Sequence, residues 1–226
     1  MFRCFLIGLA LGFAPAALAQ TAPTLAEIAS FDALHQAAQE GDVARILRLA
    51  EQGVDLDARD GAGRTAAHVA AFASHDEALQ ALAEAGADMN ALEHQAYDVV
   101  TIAAVANDPE LMSLALRLGN RADVVTSPWE GTALIAAAHL GHHEVVRRLI
   151  EAGAPLDHVN NLGWTALIEA VILGDGGADH IATVRALVEA GADISIADRE
   201  GMTPLAHAEA RNYTQIAAII EAAEQQ

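Results

Sequence analysis

The chain has 226 residues, of which 31 are acidic and 12 are basic, so its formal net charge is −19. All of the basic residues are arginines, because the sequence contains no lysine. A negative field of this size repels nucleic acid and anionic lipid, both of which are bound through basic patches. Nucleic-acid binding is therefore not expected, and any charge selection would favour basic partners.

The first nineteen residues have the pattern of a secretory signal peptide. Arg3 gives a positive start, residues 5–11 are nearly all apolar, and Ala17-Leu18-Ala19 is a small-x-small cleavage site. We expect cleavage after Ala19, which would make Gln20 the mature N-terminus and place the protein in the periplasm or outside the cell. Loss of Arg3 would leave 11 basic and 31 acidic residues, a net charge of −20. No later stretch reaches the roughly 20 apolar residues of a spanning helix, so no membrane insertion of the mature chain is expected.

The only cysteine, Cys4, lies inside this signal, so the mature chain would contain no disulfide and no cysteine–zinc site. A domain of about 200 residues buries enough surface to be stable without disulfides.

A short phrase recurs along the chain with a period of about 33 residues. It reads Gly63-Arg64-Thr65-Ala66-Ala67-His68, Gly131-Thr132-Ala133-Leu134, Gly163-Trp164-Thr165-Ala166-Leu167 and Gly201-Met202-Thr203-Pro204-Leu205. A fixed step of this size is typical of a stacked array of supersecondary units, each of which is stabilised by its neighbours.

One unit, from Asn160 to Asp193, shows how the array is expected to fold. Asn160 and Gly163 suit a turn, and Thr165 can cap the helix that follows. Gly174 is expected to end that helix in a left-handed conformation, and Gly191 to end a second helix. The equivalent helix-ending positions are Gly41, Ser74, Asn107, Gly141 and Asn212 for the first helices, and Gly53, Gly86, Gly119 and Gly153 for the second. The apolar positions expected to be buried in the second helices are Ile46, Leu47, Leu79, Leu82, Leu111, Leu114, Val145, Val146, Leu149, Ile181, Val184, Leu187, Val188, Ile216, Ile219 and Ile220.

These residues resemble the ankyrin repeat family over roughly residues 31 to 223. The resemblance implies an all-α fold, an ankyrin repeat solenoid of about six helix-turn-helix repeats, behind a signal peptide (1–19) and a lead segment (20–30). The expected repeats are 31–60, 61–93, 94–126, 127–160, 161–198 and 199–226, with register marks at Asp32, Thr65, Asp98, Thr132, Thr165 and Thr203. The third repeat is degenerate, since Asp98 and Thr101 replace the usual Thr and His, and the fifth carries an insertion.

The resemblance also implies a function: a non-enzymatic module, expected to be monomeric, that binds a protein partner through its concave groove and inter-repeat turns. We predict the partner-binding residues to be Phe72, Tyr97, Trp129, His139, Asn161, Trp164 and Glu169. Three of these are aromatic residues in or beside turns, and exposed Trp and Tyr commonly anchor interfaces. Trp129 and Trp164 lie 35 residues apart, about one repeat, so both are expected on the same edge of the stack. Glu169 is a carboxylate in an otherwise apolar column, and His207 occupies that column one repeat later, where the two could pair.

Other interpretations remain open. Each aromatic ring could instead fold over the neighbouring turn and only pack there. The His-rich fourth and fifth repeats, with His139, His142 and His143, suggest a periplasmic metal- or small-ligand-binding stress-protection protein as an alternative. The family resemblance implies that His35, His68 and His142 tie neighbouring repeats together. An enzyme built around Glu169 and a nearby histidine is a third possibility, although the sequence has no phosphate loop, no dinucleotide fingerprint and no Gly-x-Ser-x-Gly; no cofactor is expected.

Overall fold

A computed structural model describes residues 22–225, so the expected signal peptide lies outside the described residues. Over this range the chain forms thirteen α-helices and no strand, apart from one isolated bridge between Thr126 and Gly131. In the described part of the chain no helix is long and apolar enough to cross a membrane.

The helices form a lead turn followed by six pairs. The lead helix is α1 (Leu25–Ile28). The pairs are α2 (Ala33–Glu40) and α3 (Val43–Glu51), α4 (Ala66–Phe72) and α5 (Asp76–Ala85), α6 (Val99–Ala106) and α7 (Pro109–Arg117), α8 (Ala133–His139) and α9 (His143–Glu151), α10 (Ala166–Ile172) and α11 (Ala178–Glu189), and α12 (Pro204–Ala210) and α13 (Thr214–Glu224).

The six register marks each cap the first helix of a repeat, as expected. Asp32 accepts hydrogen bonds from the Leu34 and His35 backbone N–H groups, and the hydroxyl of Thr132 accepts one from Ile135. At Asp98 the replacement of Thr by Asp keeps this role, since its carboxylate accepts bonds from the Thr101 N–H at 2.8 Å and the Thr101 hydroxyl at 2.6 Å. These caps satisfy N–H groups that a helix start otherwise leaves unpaired.

The ends of the helices also follow the sequence, with one exception. Gly53, Gly86, Gly119, Gly153 and Gly191 all have positive φ beyond the second helices, and so do five of the six positions expected to end the first helices. The exception is Gly174, which is absent from the left-handed region although the other five occupy it. The insertion explains this difference, because the chain turns later, at Gly176, where φ is 70°.

The first helices pack against one another along the stack, and the second helices form a parallel layer behind them. Almost all of the expected second-helix positions are buried or half-buried, and Leu149 and Leu187 are fully buried. The expectation that Leu47 is buried is wrong, since Leu47 is 43% exposed on α3. The loosest junction lies between α5 and α7, where a cleft of about 330 Å³ opens.

Histidine side chains tie successive repeats together, which confirms the expectation for His35, His68 and His142. The ring of His35 bonds to the Arg64 carbonyl, that of His68 to the Tyr97 carbonyl, and that of His142 to the Ala104 carbonyl. His68 also accepts from the Thr65 backbone N–H through Nδ1, which closes a capping box. Its burial lowers its pKa to about 4, so the ring stays neutral at ordinary pH.

Candidate partner-binding face

The inter-repeat turns are built around one polar side chain five residues before each helix cap. In the second and third repeats Asp60 and Glu93 each accept two backbone N–H bonds from the turn that follows. Asn160 and Asp198 do the same in the fifth and sixth. Local bonds of this kind hold the turns in a fixed conformation.

The turn residue has a second polar atom that the turn does not use, and in the fifth repeat this atom contacts the first helix. Asn160 donates through Nδ2 to Oε1 of Glu169 at 2.8 Å. The other carboxylate oxygen, Oε2, lies 3.4 Å from Nδ1 of His139 on the preceding repeat. The Glu169 side chain is only 7% exposed, whereas that of His139 is 36% exposed. Glu169 is thus a buried carboxylate held by an amide, with a half-exposed histidine beside it.

In the sixth repeat the acid lies in the turn and its partner lies on the helix. The turn residue there is an acid, Asp198, and the helix residue in the Glu169 column is His207, which donates through Nε2 to Asp198 at 2.6 Å. Burial raises the pKa of Asp198, but bonds from the Met202 N–H and His207 outweigh it and leave that pKa below its usual value. The expected pairing of Glu169 with His207 is therefore wrong, because each side chain is satisfied by its own turn.

The aromatic residues predicted to bind a partner differ in exposure. The Tyr97 ring is 8% exposed, so the expectation of an exposed tyrosine is wrong; burial and then the Glu93 carboxylate raise the pKa of its hydroxyl. Trp129, Trp164 and Phe72 are all half-buried, and Phe72 packs against the core.

The two tryptophans do not occupy equivalent positions. Trp129 precedes its cap by three residues and Trp164 by one, so they differ by two places in the register. The shift arises because Ser127, Trp129 and Glu130 form a distinct turn, closed by the Thr126–Gly131 bridge.

Asn161 contributes to the scaffold between turns. Its N–H donates to the Trp129 carbonyl at 2.9 Å, its Nδ2 to the Pro128 carbonyl at 3.2 Å, and its own carbonyl accepts from Arg199. These bonds fix the fourth, fifth and sixth turns relative to one another. Asn161 therefore has a structural role in the scaffold, and its role in partner binding stays a prediction.

Three exposed leucines, which sequence reasoning did not single out, lie in the same two repeats. Leu140 and Leu173 each follow the helix cap of their repeat by eight residues and are 42% and 39% exposed. Leu162, at the tip of the fifth turn, is 37% exposed. Their column could have been found by aligning the repeats, since the second and third repeats have alanine at the position of Leu140.

The histidines of the fourth and fifth repeats do not form a metal centre. Within residues 22–225 no group of three or more histidine, cysteine or acidic side chains has the geometry to hold a metal ion. Each ring has a separate partner instead: His139 lies beside Glu169, His142 bonds to a carbonyl, and His143 lies near Glu144 and Asp179. The alternative of a metal-binding protein finds no support in this part of the chain.

The comparisons with known proteins agree with this architecture. A family model described as ankyrin repeats in three copies matches residues 17–93 and 100–198. The Escherichia coli protein YahD, described as an ankyrin repeat protein, is 34% identical over 188 residues, covering 83% of this chain and 93% of its own length. The crystal structure of an ankyrin repeat domain from Acinetobacter baumannii is 41% identical, covers 84% of this chain and 97% of its own, and superposes with a TM-score of 0.79.

A chain in the complex of a predatory endopeptidase from Bdellovibrio bacteriovorus with an immunity protein has the same fold. Its TM-score is 0.69 at 21% identity, over 85% of this chain and 98% of that one, and a likeness at this identity shows the fold alone. The repeated caps, paired helices and stacked turns define an ankyrin repeat solenoid, and this chain belongs to the ankyrin repeat family. The fold is one that mediates protein–protein interaction.

Proposed function

We propose that this protein is an exported, non-enzymatic binding module that holds a protein partner on the turns and first helices of its fourth and fifth repeats. The observation that carries the proposal is the concentration of apolar surface there. Trp129 and Trp164 are half-buried, and Leu140, Leu162 and Leu173 are each more than a third exposed. Tryptophan surrounded by apolar contacts is the residue type that anchors interfaces.

The chemistry of the partner follows from the charge of this face. The whole chain carries a net charge of −19, and the face exposes the apolar side chains of Leu140, Leu162 and Leu173. A partner that presents an apolar side chain next to an arginine or lysine would complement both features. The negative field would also steer such a partner during association, an effect that weakens with salt.

Export rests on the sequence of the first nineteen residues, from Arg3 through the apolar run to Ala17-Leu18-Ala19. Mass spectrometry of the protein isolated from its own cells should show a mature N-terminus at Gln20. Full-length protein found only in the cytoplasm would contradict export and leave the binding proposal to be judged separately.

The composition dictates how the partner should be captured. Amine-reactive crosslinkers are unsuitable because the chain has no lysine. A photoreactive benzoylphenylalanine should instead replace Leu162, at the tip of the fifth turn. The matched control is the same residue at Leu47, a leucine of similar exposure on the second-helix layer, 43% against 37% exposed.

We expect irradiation in the cell envelope to give a discrete crosslinked species from the Leu162 position and none from the Leu47 position. Equal yields from the two positions would show that capture is non-specific and would contradict a binding face in these repeats. A species from Leu47 alone would place the partner on the opposite layer.

A further inference from the structure

The insertion in the fifth repeat lies at the edge of the proposed binding face. In the first four repeats the helix cap and the exit glycine are 21 residues apart, as in Thr132 and Gly153, whereas Thr165 and Gly191 are 26 residues apart. The extra residues form a loop, 173–177, and a longer second helix that begins at Ala178. The loop follows α10 directly and begins with the exposed Leu173.

A single imidazole fastens this loop to the preceding repeat. Nε2 of His180 lies 3.0 Å from the His139 carbonyl oxygen, and Nδ1 lies 3.0 Å from Oδ1 of Asp175 in the loop. The His180 side chain is 12% exposed, while that of Asp175 is 79% exposed. His180 thereby connects the loop to the end of α8, at the residue whose side chain lies beside Glu169.

Two glycines, Gly141 and Gly174, leave the space that the His180 ring occupies. A Cβ added to Gly174 would lie 2.6 Å from Cδ2 of His180, and one added to Gly141 would lie 3.0 Å from Cε1. On its other side the loop touches the sixth repeat, where the Tyr213 hydroxyl donates to the Gly174 carbonyl at 2.9 Å. The loop is therefore fixed at two places, of which only the His180 contact changes charge near neutral pH.

The geometry around His180 suits the imidazolium form of the ring. Both of its nitrogens face oxygen atoms that can only accept, a carbonyl and a carboxylate, but a neutral imidazole has one N–H to donate. The protonated ring donates to both. After loss of one proton the ring can keep the bond to His139, and its other nitrogen then presents a lone pair to Asp175.

Several other charges face this site and act on the same equilibrium. His142 interacts electrostatically with His180 and with Asp179 and His139, and His139 lies beside the Glu169 carboxylate. His143 lies between Glu144 and Asp179. The Gly177 N–H and then His180 lower the pKa of Asp175, so this carboxylate remains charged in mild acid.

We propose that the loop 173–177 is a pH-sensitive latch, which the His180 imidazolium holds against α8 in mild acid and which loosens when the ring loses its proton. The bond between His180 and Asp175 needs a protonated imidazole and an ionised carboxylate, so this bond is lost as the pH rises through the range in which histidines lose their proton, about pH 5 to 8. Its role as a regulator of partner capture rests on the proposed function, but the latch itself can be tested without a partner.

The test is nuclear magnetic resonance of the mature protein at about pH 5.5 and about pH 8, which span the histidine range. The amides of Gly174, Gly176 and Gly177 report the order of the loop through their heteronuclear NOE values and their exchange with water. A half-exposed ion pair of this kind contributes about two- to fivefold to the closed population. We therefore expect exchange of these amides, after correction for the intrinsic rate, to rise about two- to fivefold at the higher pH.

Two variants identify the cause. His180→Gln keeps a single donor for the His139 carbonyl and carries no charge, so its loop should be equally mobile at both pH values. Asp175→Asn should behave in the same way. Asp179→Asn removes a nearby acid that does not contact His180, so its loop should still respond to pH, with the midpoint moved to lower pH. A loop of unchanged order in the natural protein, or the same pH dependence in His180→Gln, would overturn the latch and leave the partner-binding proposal untouched.

Discussion

The buried contact between Asn160 and Glu169 allows a sharp test of how the fifth repeat is built. Replacing Asn160 by Asp keeps Oδ1, which accepts the turn bonds from Leu162 and Trp164 at 3.0 Å. The turn itself should tolerate the change, because Asp occupies this position in the second and sixth repeats. Only Nδ2 is lost, and a second carboxylate oxygen then lies about 2.8 Å from Oε1 of Glu169.

The cost can be estimated from these contacts. Removing a donor from a buried charged group typically costs about 1–3 kcal/mol, and repulsion between two buried carboxylates adds to it. We expect Asn160→Asp to lower the free energy of unfolding by about 2–4 kcal/mol near pH 7. Because one proton shared by the pair removes the repulsion, the loss should shrink as the pH is lowered.

Urea unfolding followed by circular dichroism would measure the effect, with hydrogen exchange of α10 to locate it. The matched control is the double variant Asn160→Asp with Glu169→His, which recreates the Asp198–His207 pair of the sixth repeat and should recover most of the stability. If Asn160→Asp alone were as stable as the natural protein near pH 7, the buried carboxylate would not be held as described.

Three further outcomes are expected from the same structure. Leu149→Ala, at a fully buried position of α9, should cost about 2–4 kcal/mol in urea unfolding, and an unchanged midpoint would contradict the register of the fourth repeat. Ala96 has a φ of 60° where the second, fifth and sixth repeats have glycine, so Ala96→Gly should stabilise by about 1 kcal/mol in thermal unfolding, whereas Ala73→Gly, at a φ of −84°, should not. The pKa of His68 is lowered to about 4 in the folded protein, so the unfolded state binds this proton first as the pH falls. The free energy of unfolding should therefore drop by about 3 kcal/mol between pH 6.5 and pH 4. Urea titrations of His68→Gln should lack this part of the acid sensitivity, and an equal loss in both proteins would contradict the reasoning.

The periodic features of the fold could be predicted because each follows from local chemistry. Thr65 and its equivalents cap helices wherever they recur, and the exit glycines adopt positive φ because the backbone there needs it. Leu47 shows the limit of this reasoning, since a helix of nine residues offers more apolar side chains than its buried face can take.

The site was harder to predict because its contacts join distant residues. Asn160 looks like an ordinary turn residue until its amide is seen to meet Glu169, and the sequence equally allowed Glu169 to pair with His207. In the fifth repeat the acid lies on the helix and the amide in the turn, whereas in the sixth repeat the acid lies in the turn and the imidazole on the helix. A single sequence does not reveal that these two positions vary together. In the same way the insertion moved the helix-ending turn from Gly174 to Gly176.

The most direct test of the central claim, a partner-binding face on the fourth and fifth repeats, is the Trp164→Ala variant assayed against the partner captured from the Leu162 position. Truncation of a central aromatic anchor typically costs about 2 kcal/mol or more of binding, roughly 30-fold in affinity. We expect a loss of this size by calorimetry, little change in thermal unfolding, and an unaltered affinity in the Leu47→Ala control. Unchanged affinity in Trp164→Ala, or binding lost only in proportion to an unfolded fifth repeat, would show that Trp164 packs the scaffold and does not contact the partner.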